Sequence, residues 1–347
     1  MNDVLTPILH RVTRGATLSD DEITAAMTEI FEGRVTDVQA AGFIVALRTK
    51  GESADELAAL VTAARAFSVP LTVGVDAIDT CGTGGDKAGT INVSTLAALI
   101  AAGAGAHVVK HGNRAQSSQC GSADVLEALG VAIELGPEGV ATCVAEAGIG
   151  FCLAPRFHPA FRFLGPARKE LGVPTTFNFL GPLLNPARVR RQAIGVADET
   201  MALKMLAALE ALGTEHALVF HGDDGLDELT TTTTNSVHEL RGGEVRSYSV
   251  DAVDLGLARA EPAALAGGPS ETNAECVRAV LGGEKNPHRD IALLNAAAAL
   301  VVAGIAADLG EGVDTAADAI DSGRASATLH KMIETSQRAA KAGDGAG

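Results

Sequence analysis

Two glycine-bearing polar loops stand about thirty residues apart, the span of one strand-helix-strand unit. The first, Gly82-Thr83-Gly84-Gly85-Asp86, follows a short apolar run over 75–80; the second, Lys110-His111-Gly112-Asn113-Arg114, follows His107-Val108-Val109. Glycines at 82, 84 and 85 let the backbone take positive φ and press against a ligand, which is how a chain makes room for phosphate. Asn92, Ser94 and Thr95 then head an apolar helix, where free N–H groups and the positive dipole end favour an anion. The first loop fits neither G-x-G-x-x-G nor the P-loop pattern, because no Lys-Ser/Thr follows its last glycine. Alone, it serves equally as a tight turn or a ligand loop. The second loop is denser in chemistry: two fixed cations, an imidazole and an amide surround one glycine, and Ser117, Ser118 and Ser122 follow. Ser122 suits the N-cap of a helix over 122–129, and the same helix end suits a phosphate.

Asp227 and Glu228 are adjacent carboxylates beyond another apolar run, 217–220, with Asp223 and Asp224 nearby. Adjacent acids commonly do no more than solvate a surface. Beside a phosphate site they are what Mg²⁺ takes, one or two carboxylates completed by substrate oxygens and water. Arg168 sits on a helical stretch otherwise facing apolar neighbours. It reads either as an exposed salt-bridging residue or as a bidentate clamp on a substrate carboxylate. His158, before Pro159, lines the same cleft or bonds within a turn. Nothing matches a nucleophile elbow or a glycosidase carboxylate pair.

These residues need a scaffold that brings strand ends together. At 347 residues with 47% apolar content the chain suggests two domains of a soluble globular protein. A net charge of −16 disfavours nucleic acid as a partner, and the longest apolar runs, 96–106 and 296–307, are too short for a bilayer. Five scattered cysteines without C-x-x-C argue against a disulfide frame or zinc site and fit a reduced, cytoplasmic setting; no signal peptide is evident.

Ser19-x-x-Glu22, Thr36-x-x-Gln39 and Ser53-x-x-Glu56 are capping boxes, with Gly33 and Gly51 closing two of the helices. With a weaker helix over 4–14 they make an all-helical unit, 1–69, too small for a generous core of its own and expected to be completed by about 157–186. After a connection over 70–74, strands and helices alternate from residue 75, and beyond 250 the remainder of the unit 75–347 is helical down to the tail. Strands are expected over 75–80, 107–110, 131–135, 149–153, 192–196 and 217–220, helices over 94–104, 122–129, 137–147 and 200–212. The pattern predicts an α/β domain with a mostly parallel sheet flanked by helices. A helix over 157–172 interrupts it, and 237–250 alternates around Gly242-Gly243 as a hairpin that the threonines 230–234 enter as strand. The last residues, 342–347, read as a disordered tail.

The chain resembles the anthranilate phosphoribosyltransferases. The residues that carry this are GTGGD at 82–86, N-x-S-T at 92–95, KHGNRAxSSxxGSADVLEALG at 110–130, HPAFR at 158–162, FNxLGPLxNP at 177–186 and GLDE at 225–228. The resemblance implies transfer of a phosphoribosyl group from 5-phosphoribosyl 1-pyrophosphate to the amine of anthranilate, releasing pyrophosphate, in tryptophan biosynthesis. It places the donor on Gly82, Thr83, Gly84, Gly85, Asp86, Thr90, Asn92, Ser94, Thr95, Lys110 and Ser122. Anthranilate falls to Gly82, His111, Asn113, Arg168 and Pro182, and Mg²⁺ to Ser94, Asp227 and Glu228, with no dedicated general base. A homodimer through the N-terminal helices is implied as well. Pro174 and Leu184 depart from the family pattern, which leaves the channel over 165–185 less defined. A pyrimidine nucleoside phosphorylase and a noncatalytic nucleic-acid-binding relative of the same fold are the alternatives.

Overall fold

The computed structural model describes residues 2–115 and 119–344. Four helices open the chain: α1 Leu5–Val12, α2 Asp20–Phe31, α3 Asp37–Lys50 and α4 Ala54–Ala66. Each of the last three starts at its capping box, the Ser19, Thr36 and Ser53 hydroxyls accepting from the backbone of Glu22, Gln39 and Glu56 while those side chains return the bond. Their apolar stripes close over Ile30, Phe43, Leu47, Leu57 and Leu60, all fully buried. The same cluster includes Leu164, Phe177, Leu180 and Leu183 from later in the chain. Gly33 makes this approach possible: at φ 70° it closes α2, and a side chain there would strike the Phe163 ring.

Seven strands form one sheet: β1 Ile78–Gly82, β2 Val108–Gly112, β3 Ile149–Leu153, β4 Arg191–Gly195, β5 His216–Gly222, β6 Thr234–Arg241 and β7 Glu244–Asp251. Their order is β3-β2-β1-β4-β5-β6-β7, parallel from β3 to β5 and antiparallel beyond. The hairpin turns on Gly242 and Gly243, at φ 59° and 83°, as a two-residue turn of this kind requires. Helices α5 Val93–Gly103, α6 Ser122–Leu129, α7 Pro137–Ala147, α8 Ala154–Phe157, α9 Gly165–Leu171, α10 Phe177–Leu180, α11 Glu199–Ala211, α12 Ser270–Leu281, α13 Pro287–Ala303, α14 Leu309–Asp321 and α15 Arg324–Asp344 complete the fold. The two long apolar runs are α5 and α13, which are buried nearly all round and pack on each other. Their small side chains allow that double burial; Gly103 lies against the backbone of Ala325. No described helix is long and apolar enough to cross a membrane.

The strand order reverses between β1 and β4. Chain leaving β1 turns toward β2 and chain leaving β4 turns toward β5, so a crevice opens above their carboxyl ends, where ligands of such sheets bind.

Four expectations need correction. Residues 131–135 form no strand: Val131, Ile133 and Leu135 alternate inward, but the Val131 N–H bonds Leu126 and the Ala132 N–H bonds the Ser336 hydroxyl, so the run is extended without a ladder partner. The single helix over 157–172 is broken into α8, a 3-10 turn Pro159–Phe163 and α9, since Pro159 and Pro166 have no N–H to continue a helix. Of the threonines 230–234 only Thr234 is strand; Thr230 and Thr232 turn their hydroxyls to Asp224, and Thr234 bonds Asp223. Of the tail, 342–344 continue α15 and 345–347 lie outside the described residues.

Candidate functional site

The glycine loop leaves β1 with Gly84 and Gly85 at φ 72° and 92°. Its conformation is fixed from across the crevice. The Gly84 N–H donates to Asp227 Oδ2 at 2.6 Å, and the Thr83 N–H to the Gly195 carbonyl at 3.0 Å. Gly82 and Gly195 end the two strands that flank the crevice, and a Cβ on either would fall on Asp227. Glycine at these two positions is what lets the carboxylate sit between strand ends. Asp86 caps its own turn through the Ala88 N–H, 3.1 Å, and Thr90 bridges to Ala266.

Asn92, Ser94 and Thr95 start α5 as the sequence suggests. The Asn92 side chain donates to the Cys120 carbonyl at 3.1 Å and accepts from Asn273 at 2.9 Å. The Ser94 N–H donates to Glu228 Oε1 at 3.1 Å. Thr95 is buried with its hydroxyl unpartnered. Lys110 reaches the same place from β2: only 2% exposed, it donates to the Thr80 carbonyl at 2.7 Å and the Ser94 hydroxyl at 3.2 Å. Ser94, Lys110, Asp227, Glu228 and the glycine loop are thus one constellation.

Two buried acids side by side are electrostatically expensive. Burial pushes Asp227 well above the usual carboxylate range, and the charges of Asp86 and Glu228 push it further. Burial raises Glu228 to about 8 despite the opposing pull of Lys110 and the Ser94 N–H. A divalent cation would relieve that repulsion. Among the described residues no group of three or more His, Cys, Asp or Glu is arranged to hold a metal with protein ligands alone. Two carboxylates and a hydroxyl need phosphate oxygens and water to finish the shell, which is Mg²⁺'s habit. Asp223 and Asp224, by contrast, are occupied by the threonines and stand outside the constellation.

The rest of the second loop divides. His111 is buried, its Nδ1–H donating to the Gly181 carbonyl at 3.2 Å, and its Nε2 has no partner. Burial, and next the neighbouring His158, lower its pKa to about 3, so it is neutral. The Asn113 carbonyl accepts from the Ser122 hydroxyl at 3.2 Å and from the Ala123 N–H at 3.1 Å. Ser122 is therefore the first helical residue of α6 and not its cap; Gly121 takes the cap position, with the Asp124 carboxylate accepting its N–H at 2.9 Å. Arg114 is not in the crevice either: it pairs with Asp124 and Glu127 on the outside of α6. Ser117 and Ser118 lie outside the described residues.

Arg168 projects from α9, partly buried, with no acidic partner among the described residues; burial lowers its pKa. Desolvated and unpaired, it suits an incoming carboxylate better than a surface salt bridge. Pro182 is buried and its carbonyl accepts from Gln192 at 2.8 Å. His158 stacks edge-on to His111, ring centres 5.0 Å apart, and burial, with the charge of Arg65 adding, lowers its pKa to about 4.

Sequence reasoning missed Asp79, Asn185, Gln192 and Asn273, all at most 1% exposed and all bonded to site segments. Asp79 carried a signal, a lone acid in the apolar run Ala77-Ile78-Asp79-Thr80-Cys81. Asn273 carried none, because only the fold brings α12 to Asn92.

Residues 74–326 match the family model "Glycosyl transferase family, a/b domain", and 6–68 match "Glycosyl transferase family, helical bundle domain". An anthranilate phosphoribosyltransferase of Roseiflexus sp. (strain RS-1) is 53% identical over 329 residues, 94% of this chain and 96% of the relative. One of Rhodopseudomonas palustris (strain ATCC BAA-98 / CGA009) is 50% identical over 332 residues, 96% of this chain and 98% of the relative. The crystal structure of the enzyme from Thermus thermophilus superimposes with a TM-score of 0.90 at 43% identity, covering 95% of this chain and 99% of that one. The Saccharomyces cerevisiae enzyme in complex with PRPP and Mg gives 0.89 at 26% identity, covering 97% and 99%. With a helical bundle beside a parallel sheet, a glycine loop clasped by Asp227 and identity of this extent over nearly its full length, the chain belongs to the anthranilate phosphoribosyltransferase family.

Proposed function

We propose that the protein transfers the phosphoribosyl group of 5-phosphoribosyl 1-pyrophosphate to the amine of anthranilate, as a step of tryptophan biosynthesis, with Mg²⁺ bound. The observation that carries this is the meeting of Asp227, Glu228, Ser94 and Lys110 at the glycine loop. Asp227, Glu228 and the Ser94 hydroxyl would hold Mg²⁺, which when bound supplies positive charge to the departing pyrophosphate. With the Thr83, Gly84 and Ser94 N–H groups engaged by the protein, the Gly85 and Asp86 N–H groups and the positive end of α5 face the donor phosphates, with Thr90, Asn92, Thr95 and Ser122 around them. Lys110 adds a fixed cation below that surface.

Arg168 takes the anthranilate carboxylate, while Gly82, Asn113 and Pro182 border the ring. The neutral His111 presents an unpartnered Nε2 lone pair on this side, able to accept a hydrogen bond from the amine but too weakly basic at a pKa of about 3 to remove a proton from it. An arylamine is already a nucleophile, so positioning of the two substrates and electrostatics at the leaving group supply the rate, with no covalent intermediate. Residues 1–69, with 157–186, form the helical domain and 75–347 the donor domain. Val38 and Val45 on α3, 81% and 36% exposed, and Val4 beside α1 are apolar residues facing outward from the helical unit. They support the homodimer expected there; sedimentation showing only monomer would remove it.

The experiment is loss of anthranilate fluorescence in the purified protein with the donor present. Donor-dependent loss abolished by EDTA and restored by Mg²⁺ is expected, and loss indifferent to both donor and EDTA would sink the reading.

A further inference from the structure

Asp79 lies inside β1, fully buried, three residues before the glycine loop begins its turn. Its Oδ2 accepts from Asn185 Nδ2 at 2.8 Å and its Oδ1 from the His111 N–H at 3.3 Å. The partners do not stop there. His111 Nδ1–H donates to the Gly181 carbonyl, and Gly181 leads through a short 3-10 turn, Gly181–Leu184, straight to Asn185. The contacts close a ring: Asp79, His111, Gly181, the turn, Asn185 and Asp79 again. Asn185 is itself held, its Nδ2 also donating to the Val109 carbonyl at 2.7 Å and its Oδ1 accepting from the Ala187 N–H at 3.0 Å.

The segment inside the ring has little regular structure to hold it. Its carbonyls are taken one by one by side chains: Gly181 by His111, Pro182 by Gln192 and Leu183 by Arg65, the last at 2.8 Å. Asp79 is the only acid in this set. A buried carboxylate that accepts two bonds beside the Lys110 cation is a rigid anchor, because losing one partner would leave charge unpaired in the interior. One face of the ring is the His111 imidazole, whose tautomer the Gly181 carbonyl fixes with Nε2 as a lone pair; another is Pro182.

We propose that Asp79 is a positioning residue for the acceptor, holding the His111 ring and the 181–185 turn in fixed relation while taking no part in donor binding. The assignment rests on the acceptor role given above to His111 and Pro182. Two measurements on the full chain test it. Imidazole ¹⁵N spectra of the ligand-free protein are expected to show His111 as the Nδ1–H tautomer, and Asp79→Asn and Asn185→Ala to shift it toward Nε2–H. An unchanged tautomer overturns the ring, whether or not the wild-type protein turns over anthranilate, whereas a wild-type protein without turnover sinks the proposed function alone. In steady state, each variant is expected to raise the anthranilate KM by about tenfold and to leave the donor KM within about twofold, the scale of one lost charge-assisted contact. The double variant is expected to be no worse than the weaker single one, since both open the same ring. Equal changes in the two KM values, or additive effects, would overturn the acceptor role. Asp79→Asn removes the charge and keeps the shape of the side chain, and it decides the question by itself where Asn185→Ala, which strips a partner from the buried carboxylate, does not fold.

Discussion

The two sides of the crevice, proposed above for the donor and for the acceptor, are built in opposite ways. The proposed donor side repeats one device, a strand end, a glycine turn and a helix start, and the backbone N–H groups of Thr83, Gly84 and Ser94 lock that device to Gly195, Asp227 and Glu228. The proposed acceptor side rests on α8 to α10 and two 3-10 turns, none long enough to hold itself, and each carbonyl of 181–183 is taken by a side chain from elsewhere. On the proposed assignment, regular structure positions the donor and buried polar side chains position the acceptor. Substitutions should therefore separate the two sides kinetically.

Glu228→Gln tests the donor side most severely. It removes one of the two charges that would hold Mg²⁺, and loss of roughly 10²- to 10³-fold in kcat/KM is expected, the scale of one electrostatic transition-state contact. The ligand-free protein should melt no lower than wild type, because Gln also accepts from the Ser94 N–H and carries no buried charge. Melting well below wild type would mean that Glu228 is a structural anchor. On the acceptor side, Arg168→Ala should weaken anthranilate use by about 2 to 3 kcal/mol, the loss of a charge-assisted pair, with donor affinity nearly intact. Equal loss for both substrates would break the division between the sides.

A third test uses acid. His111 and His158 are neutral in the folded protein, with pKa values of about 3 and 4 against an ordinary 6.5, burial being the main cause for both. Their folded pKa is depressed, so the unfolded chain binds more protons below 6.5; stability is whole above that pH and falls as the pH drops toward 4 and 3. At about pH 5 each imidazole should account for a loss of about 2 kcal/mol. Urea melts from pH 7 to 5 measure it, and His158→Phe should flatten the slope. An unchanged slope would show that the acceptor side does not carry the acid sensitivity.

How far the sequence reveals the site follows the same division. The glycine loop, the α5 start, Lys110 and Asp227-Glu228 are local patterns whose chemistry is readable because strand-loop-helix order brings them to one edge. The capping boxes are equally readable, since a cap is a bond between residues three apart. What is not readable depends on distant partners. Residues 131–135 alternate like a strand, yet strands need a ladder and none is within reach. Residues 157–172 have helical composition interrupted by prolines, and only packing on the helical unit decides where they bend. Asp79 and Asn185 are 106 residues apart, and no spacing rule joins them.

Arg114 gives the mildest test, and it concerns density of charge as evidence. In the sequence it counts with Lys110 as one of two fixed cations around Gly112; in the fold its guanidinium reaches Asp124 and Glu127, with 42% of the side chain exposed. Solvent screens such pairs, so Arg114→Ala should change stability by no more than about 1 kcal/mol. Donor KM should stay within about twofold, because no phosphate contact is lost. Lys110→Ala, removing a buried amine from between Thr80 and Ser94, should raise donor KM far more. Two cations four residues apart would then differ by role, one inside the donor surface and one tying its loop to α6 from without. A donor KM equally raised in both variants would return Arg114 to the crevice and show that the loop moves inward when the donor binds.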